Sequence, residues 1–250
     1  MTRQDREYRR GETTMAFTDT SGPATRTFVL VHGIGMGRLV FDGVGEVLSA
    51  YGRVLAVDLP GFGDSPEPGS AATLEETAAE VAMFIRREVG GPVVLVGHSM
   101  GTQVVAEIAV HRPELVSELV LIAPTVNVHE RTARQQALRM LQDLGGTGPR
   151  TLLLGLWEYA KTSPLWYLRK LRFMLHHRIE AICPLISRPT LVMRGEHDRV
   201  CPRGWVAEVA AAIPSSEMRE IPQHGHEAVI ENPEPAASMI VEFVLRQPGA

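Results

Sequence analysis

The sequence predicts an α/β protein with a doubly wound, mostly parallel sheet. Short apolar, β-rich runs bounded by Gly, Pro and Asp alternate with stretches in which apolar residues recur at helical spacing. Parallel strands need crossover connections on the faces of the sheet, and the intervening helices supply them. With 250 residues and 44% apolar content, the chain is long enough to bury a substantial core.

The strands and helices of the core follow from these patterns in order. Buried parallel strands are predicted at 27–32, 54–58, 93–97, 119–123, 190–194 and 218–221. Helices are predicted at 40–51, 74–89, 100–111, 205–213 and 235–245. Residues 13–19 are expected to pair at the sheet edge, whereas residues 1–12 are expected to be frayed. The core domain is therefore assigned to residues 1–125 and 185–250.

One break in the alternation predicts an inserted helical lid at 126–184. This stretch separates two predicted strands and contains three helical patterns, at 131–144, 152–160 and 165–177. Its leucines and aromatic residues give these helices an apolar face that must cover something. We expect it to cover the carboxyl ends of the strands, where open α/β sheets bind ligands. Most of its aromatic residues are expected to attach the lid to the core, and one or two to line a pocket.

Charge and hydropathy exclude several kinds of partner. The lid segment has nine Arg and Lys against four Asp and Glu, although the whole chain has a net charge of −4. A solvated outer face is the favoured interpretation, with anionic substrates or a membrane-like surface as alternatives. The negative overall charge argues against binding to nucleic acid.

The charged amino-terminal sequence MTRQDREYRRGETTMAF is unlike a secretory signal, and no apolar run reaches about 18 residues. We therefore expect a cytoplasmic protein without stable membrane insertion.

Neither a metal nor an organic cofactor is predicted. Cys183 and Cys201 are too few for a disulfide framework and lack the spacing of metal ligands, so they are interpreted as free thiols. The glycine-rich run at 33–37 lacks the spacing of a dinucleotide-binding fingerprint. The chemistry is therefore expected to come from side chains alone.

The strongest local signal is GHSMG at 97–101, which lies between a predicted strand and a predicted helix. A serine in such a sharp turn has a strained backbone, and flanking glycines avoid collisions with the neighbouring strand and helix. The pattern indicates that Ser99 projects its hydroxyl clear of the sheet as a nucleophile. An ordinary helix N-cap is the structural alternative, because serine is favoured at that position.

Five separated regions resemble the α/β-hydrolase superfamily, in the family's order and from about residue 27 to the last helix. They correspond to its oxyanion loop, Pro-Gly loop, nucleophile elbow with the helix that follows, acid-bearing strand and histidine loop. The matching segments are LVHGIG (30–35), AVDLPGFGDS (56–65), GHSMG (97–101) with VHRPE (110–114), LVMRGEHD (191–198), and HGHE (224–227) with ENPE (231–234). The resemblance implies the α/β-hydrolase fold and a Ser-His-Asp hydrolase.

The roles that the resemblance implies agree with the chemistry of acyl transfer. Ser99 would be the nucleophile and His226 the general base, because a serine hydroxyl needs a nearby base with a pKa near neutrality. Asp198 would bind the other imidazole nitrogen and stabilise the imidazolium. His224 is the alternative base. Glu196 is the alternative acid, and Asp198 has the further alternative of being a simple turn residue.

The resemblance also implies an oxyanion hole made by the backbone N–H groups of Ile34 and Met100. Asp58 and Asp64 are expected to hold the Pro-Gly loop. Five further residues are candidates for lining the substrate pocket: His32, Gly33, His98, Trp157 and Trp166.

The predicted function is hydrolysis of a small, mostly apolar carboxylic ester, with a small molecule as the partner. A serine at position 99 excludes the dehalogenase-like and epoxide-hydrolase-like branches, which use aspartate there. Thioesters, lactones and carbon–carbon bonds in vinylogous diketones remain alternatives, as do lyase or perhydrolase reactions on the same fold. A ligand-binding receptor with negligible turnover is a hypothesis of a different class.

Overall fold

The central strands are apolar along their whole length, so each must be covered on both faces. In the computed structural model, which describes residues 2–146 and 148–247, all six residues of 93–98 and of 190–195 are buried. The strands are β1 Arg3–Arg10, β2 Thr13–Thr20, β3 Thr27–Val31, β4 Arg53–Val57, β5 Val93–His98, β6 Val116–Ile122, β7 Thr190–Gly195 and β8 Ser216–Ile221.

Helices connect most of these strands. They are α1 Asp42–Leu48, α2 Leu74–Glu88, α3 Met100–His111, α4 Ala133–Leu144, α5 Pro149–Lys161, α6 Pro164–His176, α7 Ile179–Ile182, α8 Arg203–Ala212, α9 Ala228–Glu231 and α10 Pro233–Arg246. Short 3-10 turns lie at Arg38–Phe41, Pro113–Leu115, Val128–Glu130 and Cys183–Leu185. In the described part of the chain, none of these helices has the length and apolar content needed to cross a membrane.

The eight strands form one sheet in the order β1-β2-β4-β3-β5-β6-β7-β8. Strands β3 to β8 run parallel to one another, and β1 and β2 add an antiparallel edge. This is the doubly wound, mostly parallel α/β sheet that the sequence predicts, so the predicted fold class is confirmed. Residues 1, 147 and 248–250 lie outside the described residues, and with them the extreme ends of the predicted core.

Two hydrophobic layers enclose the sheet, and successive strand residues enter opposite layers. In β5, Val93 and Leu95 belong to one core cluster, whereas Val94 and Val96 belong to the other. Helices α2, α3 and α8 cover the first face, and α1 and α10 cover the second. The carboxyl ends of the strands remain as the edge where loops can build a site.

The expectation of a frayed amino terminus is wrong for residues 3–10, which form β1. Gly11 closes the turn to β2 with a φ of +57°, a conformation that glycine adopts readily. Tyr8 is 2% exposed and packs edge-on against Phe84, with ring centroids 5.6 Å apart. Because Tyr8 is the only buried residue of β1, the charged residues around it concealed the strand in the sequence.

The predicted insertion, residues 126–184, contains helices α4, α5, α6 and α7, and three of its side chains contact loops at the carboxyl ends of three strands. The ring of Tyr159 lies against Gly35 after β3, and the Trp166 indole lies against Gly61 after β4. The Asp143 carboxylate lies against Gly225 after β8. These three side chains therefore lie at the same edge of the sheet as Ser99.

Candidate active site

The backbone of the turn between β5 and α3 adopts a tight conformation that requires glycine at positions 97 and 101. Ser99 has a φ of +52°, which is rare for a residue with a side chain. A Cβ atom on Gly97 would lie 2.5 Å from the Gly101 carbonyl oxygen, and one on Gly101 would lie 2.2 Å from that of Val31. Ser99 precedes α3, but its side chain makes no capping hydrogen bond. The N-cap interpretation therefore does not explain this serine.

A continuous chain of hydrogen bonds links Ser99, His226 and Asp198. The Ser99 hydroxyl lies 3.0 Å from His226 Nε2, and His226 Nδ1 lies 3.0 Å from Asp198 Oδ2. The other carboxylate oxygen of Asp198 accepts backbone N–H bonds from Val200 and Cys201, each at 2.8 Å. All three side chains belong to buried residues, with exposed fractions of 6% or less. The structure thus joins three residues that lie far apart in sequence.

The environment of His226 favours its positively charged form. Burial opposes that charge, but the charge and hydrogen bond of Asp198 outweigh burial and hold the pKa of His226 well above its usual value. Burial, together with the neighbouring His226, lowers the pKa of His98 to about 3. Asp198 therefore stabilises the imidazolium that forms when His226 accepts a proton, whereas His98 stays neutral.

The alternative residues do not join this chain. His224 Nδ1 lies 3.5 Å from Glu231 Oε2, and the backbone carbonyl of His224 accepts a hydrogen bond from the His197 N–H. Glu196 accepts a hydrogen bond from the Gln223 N–H at 2.9 Å. The structure therefore brings His226 and Asp198, rather than His224 and Glu196, to the serine.

The predicted oxyanion loop lies directly against the serine. A Cβ atom on Gly33 would be 2.9 Å from the Ser99 Cβ, which leaves room only for glycine. Ile34 follows in the same loop. Met100 is the first residue of α3, and the first N–H groups of a helix have no partner within the helix. Both amides thus belong to segments next to Ser99.

His32 and His98 have structural contacts. His32 is fully buried, donates from Nδ1 to the Gly33 carbonyl at 2.7 Å and accepts the Leu59 N–H on Nε2 at 2.9 Å. His98 donates from Nε2 to the backbone carbonyl of His226 at 3.0 Å. Each imidazole holds a loop of the site in place.

The two tryptophan candidates lie in contrasting environments. Trp157 is 64% exposed, with the Lys161 ammonium 5.7 Å from its ring centroid. Trp166 is 2% exposed and packs against Gly61, and the buried Lys170 ammonium lies 5.5 Å from its ring. Neither contact extends to Ser99, so their assignment to the pocket stays a prediction.

Sequence reasoning assigned Asp58 and Asp64 to the Pro-Gly loop but missed Arg38 and Asp143. Asp58 accepts the Asp64 N–H at 2.8 Å and forms a buried ion pair with Arg38. Asp143, on α4 of the insertion, accepts the backbone N–H of His226 at 2.8 Å. Neither missed residue lies in a recognisable motif, so no local signal could have found it.

Two groups of side chains in the described residues have donor atoms close enough to share a metal ion. They are Asp198, Cys201 and His226, and Glu75, Glu107 and His177. Burial raises the pKa of the Cys201 thiol to about 12, which disfavours the thiolate that a metal would need. In the second group, His177 Nε2 lies 2.7 Å from Glu107 Oε1 and joins the insertion to α3.

The chain matches a family of known proteins along most of its length. The model of the alpha/beta hydrolase family matches residues 28–238, and the chain belongs to that family. It is 26% identical to a pimeloyl-[acyl-carrier protein] methyl ester esterase of Vibrio vulnificus, over 90% of this chain and 96% of the relative. It is 27% identical to a 2-hydroxy-6-oxo-6-(2'-aminophenyl)hexa-2,4-dienoic acid hydrolase of Metapseudomonas resinovorans, over 88% and 84%.

Solved structures are similar as well. A thermophilic esterase from Thermogutta terrifontis superposes with a TM-score of 0.84 at 25% identity, covering 97% of this chain and 98% of the esterase.

Proposed function

We propose that this protein is a serine hydrolase that cleaves a small, mostly apolar carboxylic ester through an acyl-enzyme. The observation that carries the proposal is the hydrogen-bonded chain from Ser99 through His226 to Asp198. Membership of the alpha/beta hydrolase family supports it, and the esterase names of the relatives favour an ester as substrate.

In the proposed reaction, the Ser99 hydroxyl oxygen attacks the ester carbonyl carbon while its proton passes to His226 Nε2. Asp198 stabilises the imidazolium, and the N–H groups of Ile34 and Met100 receive the oxyanion. The carbon–oxygen bond then breaks, and the alcohol leaves with the proton from His226. Water attacks the acyl-enzyme in the same way, which releases the carboxylic acid and returns the proton to Ser99.

We propose that the insertion acts as a lid over this site. Ser99 is only 6% exposed, and Tyr159 and Trp166 pack against the loops beside it, so substrate must pass the insertion to reach the serine. Hydrogen exchange of the insertion amides should slow when a covalent inhibitor occupies Ser99. Unchanged exchange would count against a moving lid.

A carbon–carbon hydrolase is the second candidate. The relative from Metapseudomonas resinovorans, which is named as a hydrolase of a 2-hydroxy-6-oxo-dienoic acid, favours it. The same serine, histidine and aspartate would serve this reaction, so the substrate must separate the two candidates. Loss of the visible absorbance of a 2-hydroxy-6-oxo-dienoate, without turnover of simple esters, would select the carbon–carbon hydrolase.

The test of the proposed function is hydrolysis of p-nitrophenyl esters of graded acyl length. Wild-type protein is expected to release nitrophenol, and Ser99→Ala is expected to lose this activity. Ser70→Ala, which changes an exposed loop serine, is the matched control and should retain it. Turnover that survives in Ser99→Ala would refute Ser99 as the nucleophile, and the best acyl length would report the size of the pocket.

A further inference from the structure

The backbone of His226 is held on both sides, in addition to its ring. Its N–H donates to Asp143 Oδ2 at 2.8 Å, and its carbonyl accepts the His98 Nε2–H at 3.0 Å. The ring itself contacts Asp198 and Ser99. The imidazole of His226 is attached to the backbone through a single CH₂ group, so its position depends on the position of that backbone. The groups that hold the backbone therefore set the distance between the imidazole and the Ser99 hydroxyl.

The Asp143 carboxylate binds the acid-bearing loop as well. Its second oxygen accepts the backbone N–H of Arg199 at 2.9 Å, and Arg199 directly follows Asp198. Gly225 lets this approach happen, since a Cβ atom there would lie 2.7 Å from Asp143 Oδ2. One carboxylate therefore joins the segment that carries the histidine to the segment that carries the acid.

Asp143 reaches these loops from the insertion. It lies near the end of α4 and is only 6% exposed. A buried carboxylate is unfavourable unless hydrogen bonds satisfy it, and N–H bonds to a charged oxygen are stronger than bonds between neutral groups. The docked position of α4 is thus coupled to the arrangement of both loops.

We propose that Asp143 is a positioning residue for the Ser99–His226–Asp198 machinery. It makes the insertion part of the active site, because His226 and Asp198 are fully aligned when α4 is docked. The inference rests on the proposed serine hydrolase function. Its consequence is that loss of the carboxylate slows attack by Ser99 and leaves the affinity for substrate unchanged.

The test is the rate at which a fluorophosphonate probe labels Ser99 in the full chain. Asp143→Asn retains the size of the side chain and one acceptor oxygen, but loses the charge and the second acceptor. Asp143→Ala removes both acceptors. Glu130→Gln is the matched control, since Glu130 also belongs to the insertion but pairs with Arg139.

We expect Asp143→Asn to lower the second-order labelling rate by about tenfold, in line with the sensitivity of catalysis to small misplacements. Asp143→Ala should be slower still, and Glu130→Gln should match wild type. Every molecule of Asp143→Asn should still label at long times. With an ester substrate, kcat should fall and KM should stay unchanged.

Three outcomes would overturn the proposal. A wild-type labelling rate in both Asp143 variants would show that the carboxylate does not position His226. A reduced end point, with a normal rate for the molecules that label, would mean that Asp143 only supports folding. Wild-type protein that fails to label at all would overturn the proposed nucleophile, and the role of Asp143 with it.

Discussion

Replacement of Asp198 by asparagine tests the proposed role of the acid with little change in volume. Asp198 Oδ1 accepts two backbone N–H bonds, from Val200 and Cys201, and Oδ2 faces His226 Nδ1. The oxygen of an asparagine would take the position that faces the two N–H groups. Its NH₂ group would then face His226 Nδ1 and force the ring proton onto Nε2, where it blocks transfer from Ser99.

We expect kcat to decrease by about 10⁴-fold, the loss that is typical when the catalytic histidine is held in the wrong tautomer. This decrease corresponds to about 5 kcal/mol of transition-state stabilisation. The pH profile should change as well. The charge and hydrogen bond of Asp198 raise the pKa of His226 more than burial lowers it. Wild-type activity should therefore increase with pH over a range that lies above the usual pKa of histidine. Without the carboxylate, burial prevails, and the residual activity should reach its plateau at a lower pH.

The assay is kcat/KM for the best p-nitrophenyl ester across the pH range, with thermal unfolding as the control for folding. A folded Asp198→Asn protein with nearly wild-type kcat would refute the reasoning. A large loss of activity with an acidic limb shifted to higher pH would refute the electrostatic part alone.

Three further predictions concern the elbow, a buried carboxyl and the thiols. Gly101→Ala should lower ester hydrolysis and destabilise the fold by about 1–3 kcal/mol in urea unfolding, because its Cβ would lie 2.2 Å from the Val31 carbonyl oxygen. Burial raises the pKa of Glu227 from 4.5 in the unfolded chain to about 6 in the folded protein. Between these two pH values the folded protein holds a proton on Glu227 that the unfolded chain has lost, so the stability of the fold decreases as the pH rises from 4.5 to about 6. Glu227→Gln should therefore stabilise the protein by about 2 kcal/mol at neutral pH, and lose that gain below the unfolded-state pKa. Burial raises the pKa of Cys183 and Cys201 to about 12, so iodoacetamide should leave the native thiols unmodified and alkylate both after unfolding.

Each of these has a clear contrary result. If Gly101→Ala keeps the stability and the ester hydrolysis rate of wild type, the backbone at the end of β3 must shift readily to accommodate the added methyl group. A stability gain in Glu227→Gln that persists in acid would point to better packing rather than to the charge. Rapid alkylation of either cysteine in the native protein would contradict its burial.

The sequence predicted the core strands to within a few residues because their signals are local. Apolar runs that end at Gly, Pro or Asp mark the buried strands, and β7, predicted at 190–194, spans Thr190–Gly195. The first strand, β1, was missed because the burial of Tyr8 depends on Phe84, a residue of a distant helix. The two cysteines are free, as predicted.

The sequence by itself determined the fold class and the turn around Ser99. Each of these features follows from short-range hydrophobic periodicity or from a five-residue sequence pattern. Only the tertiary structure decided that His226 rather than His224 meets the serine, and that Asp143 binds the histidine loop. Those contacts join residues 127 and 83 positions apart, and such distances close only when the sheet brings its strand ends together.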